Sequence, residues 1–218
     1  MAGLDRERVV DTALQLLNDG GLEGLTLRRL AAELGVKAPA LYWHFENKQA
    51  LLDEMGTTIL RRLVQQSPGF LADAPWQEYL PGMMRALRAE LLCYRDGARV
   101  FSGTYVTDAT ILEAMEASLR RCVDAGFSLS AAVQGWTTIY NYTVGFVIEE
   151  QAIRPVPDAF DDRYAPETRA ARIDASRFPL SVEGGRLMFG VDDDGRFEAG
   201  LELIVDGMEA RLAGITHP

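Results

Sequence analysis

The chain has 218 residues, 48% of them apolar, and a formal charge of -10. That is enough material for one large core, or for a small domain joined to a larger one, and it argues against a disordered chain. Split at residue 66, the charges are 8 basic and 9 acidic before it and 14 and 23 after it. A nucleic-acid partner for the whole surface is excluded by that balance, whereas the near-neutral first segment can still present a local basic face.

Apolar residues recur at helical spacing and no segment shows sustained strand alternation, so the fold class is all-α. Asp5 can cap a first helix whose apolar positions include Val9, Ala13, Leu16 and Leu17, with Gly20 and Gly21 ending it. Thr26 can cap a short second helix through Leu27, Leu30, Ala31 and Leu34, closed by Gly35. Pro39 suits the first turn of a third helix, where its missing N–H would have had no partner. Asn47 caps a fourth, whose Leu51, Leu52, Met55, Ile59, Leu60 and Leu63 form a stripe up to the break at Ser67-Pro68-Gly69.

Further helices are expected at 75–95, 108–125, 129–154, 166–175 and 195–213, with Pro81 kinking the first of these or marking a restart. Residues 155–165, with Pro155 and Pro157, read as a mobile connection. Residues 125–148 carry no charge, a length that could span a bilayer. Ser128, Ser130, Gln134, Thr137, Thr138, Asn141 and Thr143 interrupt the run, so a buried helix of a bundle fits better and no membrane partner is expected. No signal sequence is read at the start, and the expected location is the cytoplasm. Cys93 and Cys122 make neither a disulfide framework nor a zinc site and read as small buried hydrophobes.

Two short helices joined by "LGVKAP" have the length and the glycine of a helix-turn-helix. On the second, Leu41 and Phe45 are four apart and face a core, leaving Pro39, Tyr42, Trp43 and His44 on other faces. Tyr, Trp and His can each donate a hydrogen bond to a phosphate while the ring packs on the sugar, which suits a helix laid in a major groove. Packing of Tyr42 and Trp43 between helices is the competing structural reading.

The run "TLRRLAAELGVKAPALYWHFENKQALLDEM" resembles the DNA-binding signature of the TetR family of transcriptional repressors, and "YRDGARVFSGT", "DAGFSL" and "YTVGFVIEEQ" extend the resemblance over nearly the whole chain. The resemblance implies an N-terminal three-helix DNA-binding domain (1–47), a linker helix (48–67) and a helical ligand-binding and dimerisation core (68–218). It implies a homodimer joined through a four-helix bundle of the helices near 129–154 and 195–213. By the same resemblance Arg28, Pro39 and Tyr42 match base-contacting positions, and Thr26, Trp43, His44 and Lys48 match phosphate-contacting ones. Ala38 and Ala40 flank the proline where tetracycline-responsive members carry glutamine and threonine. Alanine offers a base only a methyl group, so the palindromic operator should differ in sequence.

Tetracycline-responsive members hold their drug as a magnesium chelate through a core histidine. Here the histidines are His44 and His217, and Val64 and Phe101 stand at the matching core positions, with Met83 in place of a drug-binding asparagine. No metal and no cofactor are therefore expected. What remains is an apolar and aromatic set, Leu60, Val64, Met83, Leu87, Phe101, Met115, Val133, Trp136 and Tyr140, with Thr104, Tyr105, Ser118, Thr137 and Asn141 as hydrogen-bonding groups. Such a lining suits a small lipophilic or aromatic inducer. On the uncharged helix, Val133, Trp136, Thr137, Tyr140 and Val144 share one face, expected at the pocket. Ile139, Thr143 and Phe146 share another, expected at the partner subunit.

Glu149 matches an acidic position that reaches metal-bound water in the resembling proteins; surface charge is its other reading.

The expected function is a DNA-binding repressor released from its operator by a small molecule, with control of drug efflux one role it could serve. A DNA-binding dimer with no small-molecule ligand stays open. An enzyme is disfavoured, because without a core histidine only Glu, Asp or Tyr is left as a general base.

Overall fold

In a computed structural model, residues 5–66, 73–106, 108–155, 161–190 and 192–216 are described. Ser67, Pro68 and Gly69, residues 156–160 of the 155–165 connection including Pro157, and His217 lie outside them. The described residues form helices α1 (Arg6–Gly24), α2 (Leu27–Glu33), α3 (Lys48–Gln66), α4 (Trp76–Leu92), α5 (Gly97–Phe101), α6 (Ala109–Asp124), α7 (Leu129–Ile153), α8 (Pro166–Ala170), α9 (Pro179–Met188) and α10 (Asp193–Thr216). Between α2 and α3, residues Ala38–Trp43 form a 3-10 helix. No described strand interrupts this all-α architecture, and no helix among the described residues is long and apolar enough to cross a membrane.

The caps read from the sequence are made. The Asp5 carboxylate accepts from the Arg8 N–H (2.7 Å), the Thr26 hydroxyl from Arg29 (3.2 Å) and the Asn47 side-chain oxygen from Ala50 (2.9 Å). Each satisfies a donor that the first turn leaves without a partner, a contribution of about 1 kcal/mol apiece. Gly21 takes φ 67° and breaks α1 one turn before its end, and Gly35 at φ 68° closes α2. Val9, Leu17, Leu30, Leu41 and Phe45, each at most 2% exposed, then close a small core against Leu51 and Met55 of α3.

Of the two outcomes expected at Pro81, a restart is ruled out: α4 runs through it, and Pro81 is buried. Two expectations are corrected. Cys93, read as buried, is exposed, while Cys122 is buried. Ile139 and Thr143, expected at a partner subunit, are both 0% exposed inside this one chain. Phe146 on that face packs against Tyr142 and Phe197. The reason is that α7 is enclosed within the chain by both α4, which it bonds through Glu150 and Gln151, and α10, whose Phe197 stacks on Tyr142 at 5.7 Å while the Tyr142 hydroxyl donates to the Arg196 and Phe197 carbonyls.

Helices α5 and α9 were not foreseen. α5 exists because the turn before it is fixed from several sides. Asp96 is left-handed (φ 56°) and its carboxylate accepts from the Leu22 N–H at 2.9 Å, tying α5 to the α1 break. Buried Gln151 of α7 donates to the Leu91 and Tyr94 carbonyls (3.1 and 2.7 Å) and accepts from the Ala98 N–H (3.1 Å). One side chain thereby serves the open end of α4 and the start of α5. Beside it, Arg88 is bonded by Glu150 (2.7 and 2.9 Å) and Asp194 (2.7 Å), locking α4, α7 and the start of α10 together.

Candidate DNA-reading face and ligand cavity

The 3-10 helix splits its side chains cleanly. Leu41 and Phe45 are 1% and 2% exposed, while Tyr42 and Trp43 are 56% and 90% exposed. Bonds from Ala40 N–H to Lys37 and from His44 N–H to Leu41 wind it tightly around Pro39, which explains why the expected third helix is a 3-10 turn. Two adjacent rings, Tyr42 and Trp43, are thus left open to contact from outside the chain. Arg28, Pro39 and Thr26 are exposed on the same head, and Ala38, Ala40, His44 and Lys48 are half-buried. The Thr26 hydroxyl is engaged as the α2 cap, and the His44 carbonyl accepts from Arg6 (3.0 Å).

Helix α3 leads from this head into the larger body, where it forms one wall of a cavity of about 320 Å³. The wall is assembled from four sides: Leu60, Leu63 and Val64 from α3; Met83, Met84 and Leu87 from α4; Ile111, Leu112, Ala114, Met115 and Ser118 from α6; Trp136 and Tyr140 from α7, with Phe101 and Val106 completing it. Of the sequence-derived set, Leu60, Val64, Met83, Leu87, Phe101, Met115, Ser118, Trp136 and Tyr140 are brought together there.

Thr104, Tyr105, Val133, Thr137 and Asn141 are not on the wall. Thr104 donates to the Val100 carbonyl (3.1 Å) and packs against Gly56 of α3. Tyr105 is 77% exposed, Val133 and Asn141 face outward, and Thr137 bonds back to the Val133 carbonyl at 2.8 Å.

Three rings make the cavity's aromatic side. Trp136 and Tyr140 stack at 5.0 Å, and Phe101 lies tilted on Tyr140 at 6.0 Å. The polar groups are few: Ser118 already bonds the Ala114 carbonyl (2.9 Å), and among the described residues neither the Tyr140 hydroxyl nor the Trp136 indole N–H makes a hydrogen bond. Burial pushes the Tyr140 phenol above its ordinary pKa, so it stays protonated and able to donate. Among the described residues the wall has no carboxylate, imidazole or thiolate. A magnesium chelate needs oxygen or imidazole donors, and these residues do not fit it. Glu149, exposed on α7, is not among them. A larger depression of about 400 Å³ lies between α1 and α3, but Arg6, Arg61 and Arg62 there are already paired with carboxylates.

The exposed face of α7 carries Gln134, Thr138, Asn141, Gly145 and Glu149, and α10 exposes Ala199, Leu203, Gly207, Ala210 and Gly214 at the same helical spacing. Leu203 is 74% exposed. On α10 the small residues beside Leu203 leave room for another helix to approach closely.

Residues 9–55 match the family described as bacterial regulatory proteins, tetR family, and residues 71–212 match the tetracyclin repressor-like C-terminal domain. The chain is 42% identical to the tetracycline repressor protein class C of Escherichia coli over 96% of its own length and 92% of the relative's. A possible TetR family transcriptional regulator from Streptomyces coelicolor A3(2) superposes with a TM-score of 0.83 at 36% identity, covering 94% of this chain and 99% of that one. ActR of Streptomyces coelicolor, solved in complex with actinorhodin, superposes with a TM-score of 0.81 at 28% identity, covering 97% and 99%. With both segments matched and the likeness running nearly end to end, the chain belongs to the TetR family of bacterial regulatory proteins.

Proposed function

We propose that the protein is a dimeric DNA-binding repressor of the cytoplasm, not an enzyme, that leaves its operator when a small, uncharged, largely aromatic molecule fills the cavity lined by Trp136, Tyr140 and Phe101. Residues 1–47 serve as the reading head, 48–67 as the linker and 68–218 as the sensing and dimerisation part. The observation that carries this reading is a single helix, α3, which begins beside the exposed Tyr42 and Trp43 and ends with Leu60, Leu63 and Val64 on the cavity wall.

In this reading Arg28, Pro39 and Tyr42 contact bases, with the methyl groups of Ala38 and Ala40 beside them, and Trp43, His44, Lys48 and Thr26 contact the phosphate backbone. The exposed faces of α7 and α10 meet their counterparts in a second copy, so that two heads face successive major grooves. A ligand releases the DNA to the extent that it prefers the dimer whose heads are wrongly spaced, and a few kcal/mol of preference is enough. The named relatives, tetracycline repressors and an actinorhodin-bound regulator, support a polycyclic aromatic occupant, while the wall chemistry of this chain supports one bound without metal.

The test is to select a duplex from a random library and measure its binding by anisotropy at rising salt. A palindromic site bound by two chains, with affinity falling steeply as salt rises, is expected. A flat salt response, or one chain on a non-palindromic site, refutes the proposal.

A further inference from the structure

A chain of ion pairs joins the reading head to the cavity wall by a route separate from the α3 backbone. At the head, Arg6 donates to the His44 carbonyl (3.0 Å) and through Nε and Nη2 to Glu54 Oε2 (3.0 and 2.7 Å), and its guanidinium lies 4.5 Å over the Phe45 ring. Glu54 in turn has its other oxygen 3.7 Å from Arg61. Arg61 donates from Nε and Nη2 to Asp108 Oδ2, at 3.1 and 2.8 Å. Asp108 stands at the start of α6, where its carbonyl accepts from the Ile111 and Leu112 N–H groups. Ile111 and Leu112 are cavity-wall residues.

Arg61 therefore stands between two carboxylates, one on each side of the junction, with the closer contact on the cavity side. Asp108 and Glu54 are 19% and 21% exposed, so both pairs are shielded enough to matter. Resting on the ligand-responsive reading above, we propose that Arg61 is a positioning residue that couples the α6 wall to the reading head by redistributing between Asp108 and Glu54. A ligand pressing on Ile111 or Leu112 displaces the first turn of α6 and with it Asp108. Arg61 then moves toward Glu54, which competes with Arg6 for that carboxylate and loosens the hold of Arg6 on the His44 carbonyl and the Phe45 ring. The two arrangements differ in which acid holds Arg61, the kind of discrete two-state element that coupling requires.

Asp108→Asn tests this, since it keeps the side-chain shape and the backbone carbonyl that starts α6 while removing the charge. The affinity of the neutral fluorescent probe N-phenyl-1-naphthylamine is measured for the free dimer and for the dimer saturated with the selected operator. Linkage requires the operator to weaken the probe by the factor by which the probe weakens the operator, about 5–150-fold for a working allosteric protein. In Asp108→Asn this factor is expected to fall to within about twofold of unity, with probe affinity of the free dimer and melting temperature unchanged. Asp108→Glu should restore most of it. A full coupling factor retained in both Asp108→Asn and Arg61→Gln overturns the role of Arg61 and leaves the ligand-responsive reading standing. A factor of unity in the wild-type protein overturns that reading and this inference with it.

Discussion

Gly56→Ala should destabilise the protein, although in an ordinary helix interior the same change would stabilise it by about 1 kcal/mol. Gly56 is buried in α3 where the helix meets the turn after α5, and a Cβ built on it would lie 2.3 Å from Thr104 Oγ1, 2.9 Å from its Cγ2 and 3.0 Å from its Cβ. Swinging the threonine aside would break its bond to the Val100 carbonyl, a loss of about 1 kcal/mol, and the Cβ contact would still be tight. Moving α3 instead repacks a dense junction at about 1–3 kcal/mol. Against the helix-propensity gain, the net loss is up to about 2 kcal/mol. Urea denaturation of the dimer at fixed protein concentration reads it. Thr104→Ala in the same chain removes the two closest atoms and should recover most of the loss, giving a coupling between the two sites of about 1 kcal/mol. A Gly56→Ala variant more stable than wild type, or additive effects of the two changes, would refute the close approach of α3 to this turn.

Leu41→Ala should cost about 2–5 kcal/mol of stability because the side chain is 1% exposed, while Tyr42→Ala, 56% exposed, should leave thermal melting nearly unchanged and weaken operator binding; equal melting losses would make Tyr42 a packing residue. Leu203→Asp places a charge on the exposed face of α10 and should shift the chain toward monomer in sedimentation and reduce DNA affinity with it; an unchanged dimer would move the interface elsewhere. Tetracycline with magnesium should bind poorly, since the wall would desolvate the chelate without replacing its ligands, and tight magnesium-dependent release of the operator would show that another donor, Glu149 first, reaches the cavity.

Much of the head was legible because its signals are local. Asp5, Thr26 and Asn47 are polar side chains at the starts of apolar runs, Gly35 ends one, and the spacing of Leu41 and Phe45 separates the buried from the exposed side of the reading turn. The cavity was legible where one helix face determined it, as with Leu60 and Val64 on α3 or Trp136 and Tyr140 on α7. α6 contributed more than expected, through Ile111, Leu112 and Ala114, because which side of an amphipathic helix meets a hollow and which meets solid core depends on its neighbours. α7 has no charge between its start and Ile148, so nothing in its own sequence says how it is turned. Its packing between α4 and α10 turns it, burying Ile139 and Thr143 and leaving Val133 and Asn141 outside the cavity. Thr104 looked like a ligand contact by type, but close contact with Gly56 and a backbone bond occupy it. A five-residue helix such as α5 is too short for periodicity to reveal.

The claim that a molecule must enter the apolar cavity to release the DNA is tested most directly by blocking the cavity from within. Ala114 lies on its wall, and Ala114→Trp would place an indole into a space of about 320 Å³. N-phenyl-1-naphthylamine is titrated into wild-type and Ala114→Trp dimers on labelled operator, with probe emission and DNA anisotropy followed together. The account predicts that in the wild type the probe binds and the DNA leaves at the same probe concentration. In the variant the probe should no longer bind, and adding it should leave the anisotropy unchanged. Probe binding to the wild type that leaves the operator in place, or release from the filled variant at the wild-type concentration, would contradict it.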